Sequence, residues 1–172
     1  MTELSEVGVA GPTRSADAGL VLRKAKLADA GAMHAIINEY AAAQLMLPKT
    51  HLQLYENLRD YTVAVDAARP SDVLGCGALH LYWENLAEIR ALAVRSGVAR
   101  GGIGTALVDA LLAEARTYGL EQVFVFTYVA DFFRRFGFVQ VEHRTMPLKV
   151  YNECFQCPKF HKCDEIAMVL HL

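Results

Sequence analysis

Glu88-Ile89-Arg90-Ala91-Leu92-Ala93-Val94 is followed by Arg100-Gly101-Gly102-Ile103-Gly104-Thr105, then by Leu107, Ala110, Leu111 and Ala115 at helical spacing up to Gly119. Gln122-Val123-Phe124-Val125-Phe126-Thr127 completes the series. An apolar strand, a glycine-rich turn, an amphipathic helix and a β-prone run make a β-loop-α-β unit. Glycines permit positive φ and place no Cβ in the way, so successive main-chain N–H groups can point at a phosphate while the helix N-terminus adds a favourable dipole. Arg100 adds a charge-assisted contact. No Gly-Lys-Ser/Thr closes the turn, so it is not a P-loop. Its strand is fourth in order and no acidic ribose partner is found, which argues against a dinucleotide fingerprint. A glycine turn that binds nothing is the plainer alternative.

Upstream, Leu20-Val21-Leu22-Arg23 reads as a strand, and Met33, Ile36, Ile37, Tyr40 and Ala41 recur as a helix face behind Asp29, a candidate cap. After Pro48, Thr50-His51-Leu52-Gln53 has capping-box spacing and should start a second helix. Tyr61–Val65 and Val73–Tyr82 read as an antiparallel hairpin, with Arg69-Pro70-Ser71-Asp72 as turn chemistry and Gly75 and Gly77 as punctuation. Downstream, a short helix near Ala130–Arg135 stops at Gly137, Phe138–Val141 resumes as strand, and Ile166–Leu170 is a last strand.

The chain has 172 residues, 53% hydrophobic and 21% charged, enough for one α/β domain with a sizeable core. Residues 1–18 read as an unstructured leader and 19–172 as the domain. With 17 basic and 19 acidic side chains the formal net charge is −2, which disfavours nucleic-acid backbone binding. No apolar run approaches a bilayer span and no secretory h-region is visible, so a cytoplasmic protein without a membrane partner is expected.

With this element order established, the chain resembles the GNAT acetyltransferase superfamily. The resemblance implies a central, mixed, mostly antiparallel sheet, splayed between strands four and five and flanked by helices. It implies acetyl-CoA as cosubstrate, its pyrophosphate on Arg100, Gly101, Gly102, Ile103, Gly104 and Thr105, and its pantetheine arm beside Leu92, Ala93 and Val94. The family's usual Gln or Arg at the first loop position is Ala99 here. Phe132-Phe133-Arg134-Arg135-Phe136-Gly137-Phe138 is similar to a second family block, but Phe133 stands where many members carry the tyrosine that protonates the leaving thiolate; Tyr128 is the expected substitute.

Leu45-Met46-Leu47-Pro48-Lys49, Leu54-Tyr55-Glu56-Asn57, Gly75-Cys76-Gly77-Ala78-Leu79, Glu88-Ile89-Arg90, Val125-Phe126-Thr127 and Cys157–Glu165 extend the resemblance over roughly residues 20 to 172. They are similar to the acetyltransferase domain of the N-acetylglutamate synthase family in its short form. That implies transfer of acetyl to the α-amino group of L-glutamate, for arginine biosynthesis. The acceptor nitrogen must lose a proton, and Glu88 is the candidate base, with a solvated strand-end charge or a partner for Arg90 as the plainer reading. Main-chain N–H groups near Leu92 and Ala93 would polarise the thioester carbonyl. Lys49 and Arg90 are candidate clamps for the acceptor carboxylates, and Thr127 a hydroxyl donor. On a regular strand Glu88 and Arg90 share one face. Another amine acceptor, or a noncatalytic acyl-CoA-binding module, stays open, as does a homodimer.

Cys154, Cys157, His161 and Cys163 offer soft ligands, but the spacing is tight and no second ligand pair follows, so no metal is assigned. Reduced thiols or one disulfide are the other readings. His34, His80 and His143 show no partner pattern, and Tyr82 and Trp83 are expected to pack at a strand end.

Overall fold

The computed structural model describes residues 19–98, 101–147, 155, 157 and 159–172. The expected leader, Arg100 and Cys154 lie outside these residues. Strands β1 (Leu20–Lys24), β2 (Tyr61–Asp66), β3 (Arg69–Trp83), β4 (Leu86–Val94), β5 (Gln122–Thr127), β6 (Val139–Val141) and β7 (Ile166–His171) form a seven-stranded sheet in the order β1-β2-β3-β4-β5-β7-β6. Every neighbouring pair is antiparallel except β4 and β5. That parallel pair is in register only at Leu86–Gln122, Ala87–Val123 and Glu88–Phe124. Beyond Glu88 the two strands part, which is the expected splay.

Helices α1 (Ala30–Ala42) and α2 (His51–Glu56) cover one face. Met33, Ile36, Ile37 and Leu54 pack there on Tyr61, Val63, Cys76 and Ala93. Helix α3 (Ile103–Thr117) covers the other face, burying Leu107, Val108, Leu111, Leu112 and Ala115, and α4 (Ala130–Arg134) adds Phe133 beside it. Burying a leucine-sized side chain contributes roughly 1.5–3 kcal/mol, so these apolar stripes set which face each helix presents. Gly119 ends α3 at φ +70°, the left-handed conformation that suits a helix stop.

Two local expectations in the β2–β3 hairpin are corrected, the extent of the turn and the packing of Trp83. Arg69–Asp72 belong to β3, not to the turn, because Asp66 closes the reversal first: its Oδ1 accepts the Ala68 N–H at 2.9 Å. Gly75 and Gly77 do not interrupt β3. A Cβ on Gly75 would stand 3.0 Å from the Ala93 carbonyl oxygen and 3.2 Å from Ile103, and one on Gly77 would stand 3.1 Å from Leu111. They let α3 and β4 approach the strand. Trp83 is 56% exposed instead of packed, whereas Tyr82 lies against Phe124 with ring centroids 5.4 Å apart.

The capping box of α2 forms as expected, with the Gln53 N–H donating to Thr50 Oγ1 at 3.2 Å and the Thr50 N–H to Gln53 Oε1 at 2.9 Å. Asp29 caps no N–H of α1 with its side chain. Its carboxylate instead accepts the Lys26 N–H at 2.7 Å and both arms of the Arg23 guanidinium at 2.6 and 2.9 Å, tying β1 to the start of α1. The reason is backbone conformation: Asp29 is itself helical (φ −81°, ψ −17°) and ends the turn Leu27–Asp29, so its carboxylate turns back to Lys26 and Arg23 and not on to α1.

Candidate active site

The divergence of β4 from β5 opens a cavity of about 240 Å³. Lys49 reaches it from the α1–α2 connection, Glu88, Arg90 and Leu92 from β4, and Thr127 and Tyr128 from the end of β5. Six residues singled out from the sequence thus line one space. Glu165, which precedes β7, completes the wall and had no sequence signal beyond its place in the tail.

The wall on β4 is not a regular strand. Ala78 pairs with Arg90 and Cys76 with Ala93, so three steps on β4 face two on β3. Ala91 absorbs the extra residue at φ +51°, a bulge that costs an alanine about 1 kcal/mol or more. The phase of the strand therefore shifts. Ile89 packs with the α3 layer and Ala93 with the α1 layer, although strict alternation would put both on one face. Glu88 and Arg90 precede the bulge and share a face as expected; alternation does not extend past them.

Second-layer contacts hold the charged groups in place. Arg90 Nη2 donates to Asn57 Oδ1 at 3.3 Å and stands 3.9 Å from Asp60 Oδ2. Asp60 also meets His80 Nδ1 at 2.6 Å, so His80 has a partner that its sequence neighbours do not reveal. Lys49 is buried, its main chain held on both sides by Asn38. Thr127 Oγ1 accepts the Val129 N–H at 3.0 Å, fixing the hydroxyl at the start of α4. Tyr40 donates to the Val94 carbonyl at 2.7 Å and closes the end of β4.

Tyr128 donates to Asp164 Oδ1 at 2.7 Å and accepts from Lys159 Nζ at 3.0 Å. Burial and the Asp164 carboxylate push its hydroxyl above the ordinary tyrosine range, while Lys159 pulls the other way. The same hydrogen bond, with Lys159 alongside, holds Asp164 below the usual carboxylate range. A phenol so engaged is a poorer proton donor than a free one.

At the other end of the splay, Gly102 sits at φ +88° as the residue before α3. A Cβ on Gly101 or Gly102 would meet nothing within 4 Å, so the main chain there is open to a ligand. The first-turn amides of a helix lack intrahelical acceptors, and α3 has no acidic residue in that turn and no side-chain cap. The turn thus suits an anion such as a pyrophosphate. A Cβ on Gly104 would stand 3.5 Å from the Phe132 ring of α4. Arg100 lies outside the described residues. In the tail, Cys157 and Cys163 are free thiols, and among the described residues no group of three His, Cys, Asp or Glu side chains gathers as a metal site. No helix among them is long and apolar enough to cross a membrane.

The comparisons agree with this geometry. Residues 32–138 match the acetyltransferase (GNAT) family model. An uncharacterized N-acetyltransferase of Chlorobaculum tepidum is 40% identical over 148 residues, 86% of this chain and 94% of that protein. The amino-acid acetyltransferase of Mycobacterium tuberculosis is 38% identical over 140 residues, 81% of this chain and 80% of its own length. Among solved structures, Rv2747 from Mycobacterium tuberculosis in complex with CoA and NLQ superposes with a TM-score of 0.75 at 33% identity, covering 88% of this chain and 99% of that one. The N-acetylglutamate synthase of Neisseria gonorrhoeae, complexed with coenzyme A and N-acetyl-glutamate, shares the fold at a TM-score of 0.80 and 20% identity, over 91% of this chain and 36% of that one. With its splayed sheet, its open glycine turn and these relatives, the chain belongs to the GNAT acetyltransferase family and takes its acetyl group from acetyl-CoA.

Proposed function

We propose that the chain acetylates the α-amino group of L-glutamate, giving N-acetylglutamate as an entry to arginine formation. The observation that carries this reading is the meeting of Lys49, Glu88 and Arg90 in the one cavity at the parting of β4 and β5. Two cationic side chains suit the two carboxylates of glutamate, and burying them unpaired would be costly. The name of the Mycobacterium tuberculosis relative and the N-acetyl-glutamate in the gonococcal complex support the same acceptor class.

When bound, acetyl-CoA supplies an electrophilic thioester carbonyl. The amides of Gly101, Gly102 and the first turn of α3, with Ile103, Gly104 and Thr105, would hold its pyrophosphate. The main chain of Leu92, Ala93 and Val94 would border its arm, and an amide of the bulged segment would polarise the carbonyl, a contact that contributes about 3 kcal/mol in comparable sites. Lys49, Arg90 and the Thr127 hydroxyl orient the acceptor, and Glu88 faces its ammonium group and takes its proton. Tyr128 is left as the acid for the thiolate, in competition with its bond to Asp164.

Because Arg90 already reaches Asn57 and Asp60, a second acceptor reading has support: an amino acid with an uncharged polar side chain, such as glutamine. One assay tests both. Thiol release from acetyl-CoA is followed with glutamate, glutamine, aspartate and neutral amino acids. Glutamate turnover whose KM rises in Lys49→Ala and Arg90→Ala supports the first reading, and equal or better turnover of glutamine supports the second. Tight CoA binding without release for any amine would leave only a binding module.

A further inference from the structure

Amide formation from an ammonium ion and a thioester leaves one proton over. The acceptor loses its first proton to a base, and its nitrogen lone pair then forms the C–N bond as the C–S bond breaks with its electrons on sulfur. The second nitrogen proton balances the one that Tyr128 gives to the thiolate. The proton taken first must leave the cavity before the base can act again. Glu88, half-buried on β4, takes that proton inside the acceptor cavity.

Glu165 is placed to solve this. It lines the acceptor cavity with Lys49, Glu88 and Arg90, and it also lines a second, more open recess with Glu142 and His143. Its position is fixed, because the next residue, Ile166, pairs with Thr127 across β5 and β7. The carboxyl is partly buried, and among the described residues the following titratable and charged groups border the two spaces it lines or sit beside it. On the tail, Lys159 is engaged by Tyr128 at 3.0 Å and by Asp164 at 3.5 Å. Glu142 and His143 follow β6, Tyr128 follows β5, Glu88 and Arg90 stand on β4, and Lys49 precedes α2.

We propose that Glu165 is a proton relay, receiving the proton released at each transfer in the acceptor cavity and passing it to the recess beside Glu142 and His143. Burial, and next to it the Asp164 carboxylate, push the Glu165 carboxyl above the ordinary glutamate range, with Lys159 opposing. Such a group accepts a proton more readily than a solvated carboxylate does.

This rests on the acetyl-transfer reading, and the test separates the two. Wild-type protein, Glu165→Gln and Glu165→Asp are assayed by thiol release over pH 5 to 9 at several imidazole concentrations. The relay predicts that Glu165→Gln loses about a hundredfold in kcat, regains rate as imidazole rises, keeps its KM for acetyl-CoA, and is partly restored as Glu165→Asp. Wild-type kcat and an unchanged pH profile in Glu165→Gln overturn it. Should that variant fail to fold, Glu165→Asp decides: a lowered kcat that rises with imidazole supports the relay, and a wild-type kcat that imidazole does not raise overturns it. No release by the wild type with any amine overturns acetyl transfer itself, and the relay with it.

Discussion

Asn38 grips Lys49 by both polar groups of its main chain: its amide donates to the Lys49 carbonyl at 2.9 Å and its carbonyl oxygen accepts the Lys49 N–H at 3.2 Å. Helix α1 therefore sets the height at which the α1–α2 connection presents its lysine to the cavity. In Asn38→Ala both bonds go, and at about 1 kcal/mol of net loss the KM for the amino-acid acceptor should rise roughly fivefold. The KM for acetyl-CoA should stay within twofold. Steady-state kinetics with each substrate varied in turn checks this, and equal increases in both would show that the contact does not act through Lys49.

Gly75 has no room for a methyl group. The atom it would strike first is a main-chain oxygen, Ala93 O at 3.0 Å, which cannot swing aside. Gly75→Ala should lower stability by about 2 kcal/mol, read as a fall in the urea midpoint. Gly31, inside α1, serves as the contrast, since a methyl group there would meet nothing within 4 Å: Gly31→Ala should gain about 0.5–1 kcal/mol.

The Asp29 carboxyl is pushed up by burial but more strongly held down by the Arg23 guanidinium and the Lys26 N–H, so its pKa in the folded protein lies below the usual carboxylate value. A depressed folded pKa means stability that is present above the unfolded value of about 3.9 and lost as pH falls through the folded one. Asp29→Asn should cost about 2 kcal/mol at pH 7. Its deficit against the wild type should shrink as the pH approaches 3, and chemical denaturation at pH 7, 5 and 3 measures it. A deficit independent of pH would assign the effect to packing.

Cys76 is fully buried in β3, and burial pushes its thiol up to about 12. Thiolate is the reactive form, so in the native protein at pH 8 a maleimide should leave Cys76 unlabelled while modifying the exposed Cys163. Peptide mass analysis resolves the sites, and labelling of Cys76 should appear only with unfolding. Fast native labelling would show that the sheet opens at β3.

The elements legible in the chain are those whose signals are local. The helix behind Gly102 and the run Gln122–Thr127 can be read because periodicity and β-propensity act within a few residues, and Thr50 with Gln53 because a capping box is a fixed spacing. The Ala91 bulge cannot, since an alanine at positive φ carries no mark in the chain and is imposed by pairing with β3. Neither can the partners of His80 and Arg90, because Asp60 and Asn57 come from a turn before β2 and meet them only after the hairpin closes. Alternation alone puts Glu88 and Arg90 on one face; that Lys49 and Thr127 join them around one cavity is a property of the splay. Glu165 gains its place only when β7 docks beside β5.

The short parallel ladder between β4 and β5 has a mechanical meaning. With pairing confined to three rungs at one end, the left and right wings of the sheet are joined by that short ladder and by the apolar cluster that Ala87, Ile89, Val123, Val125 and Met168 share. A molecule seated in the notch would supply continuity that the polypeptide itself omits, so the guest behaves as a missing piece of the beam as well as a reactant.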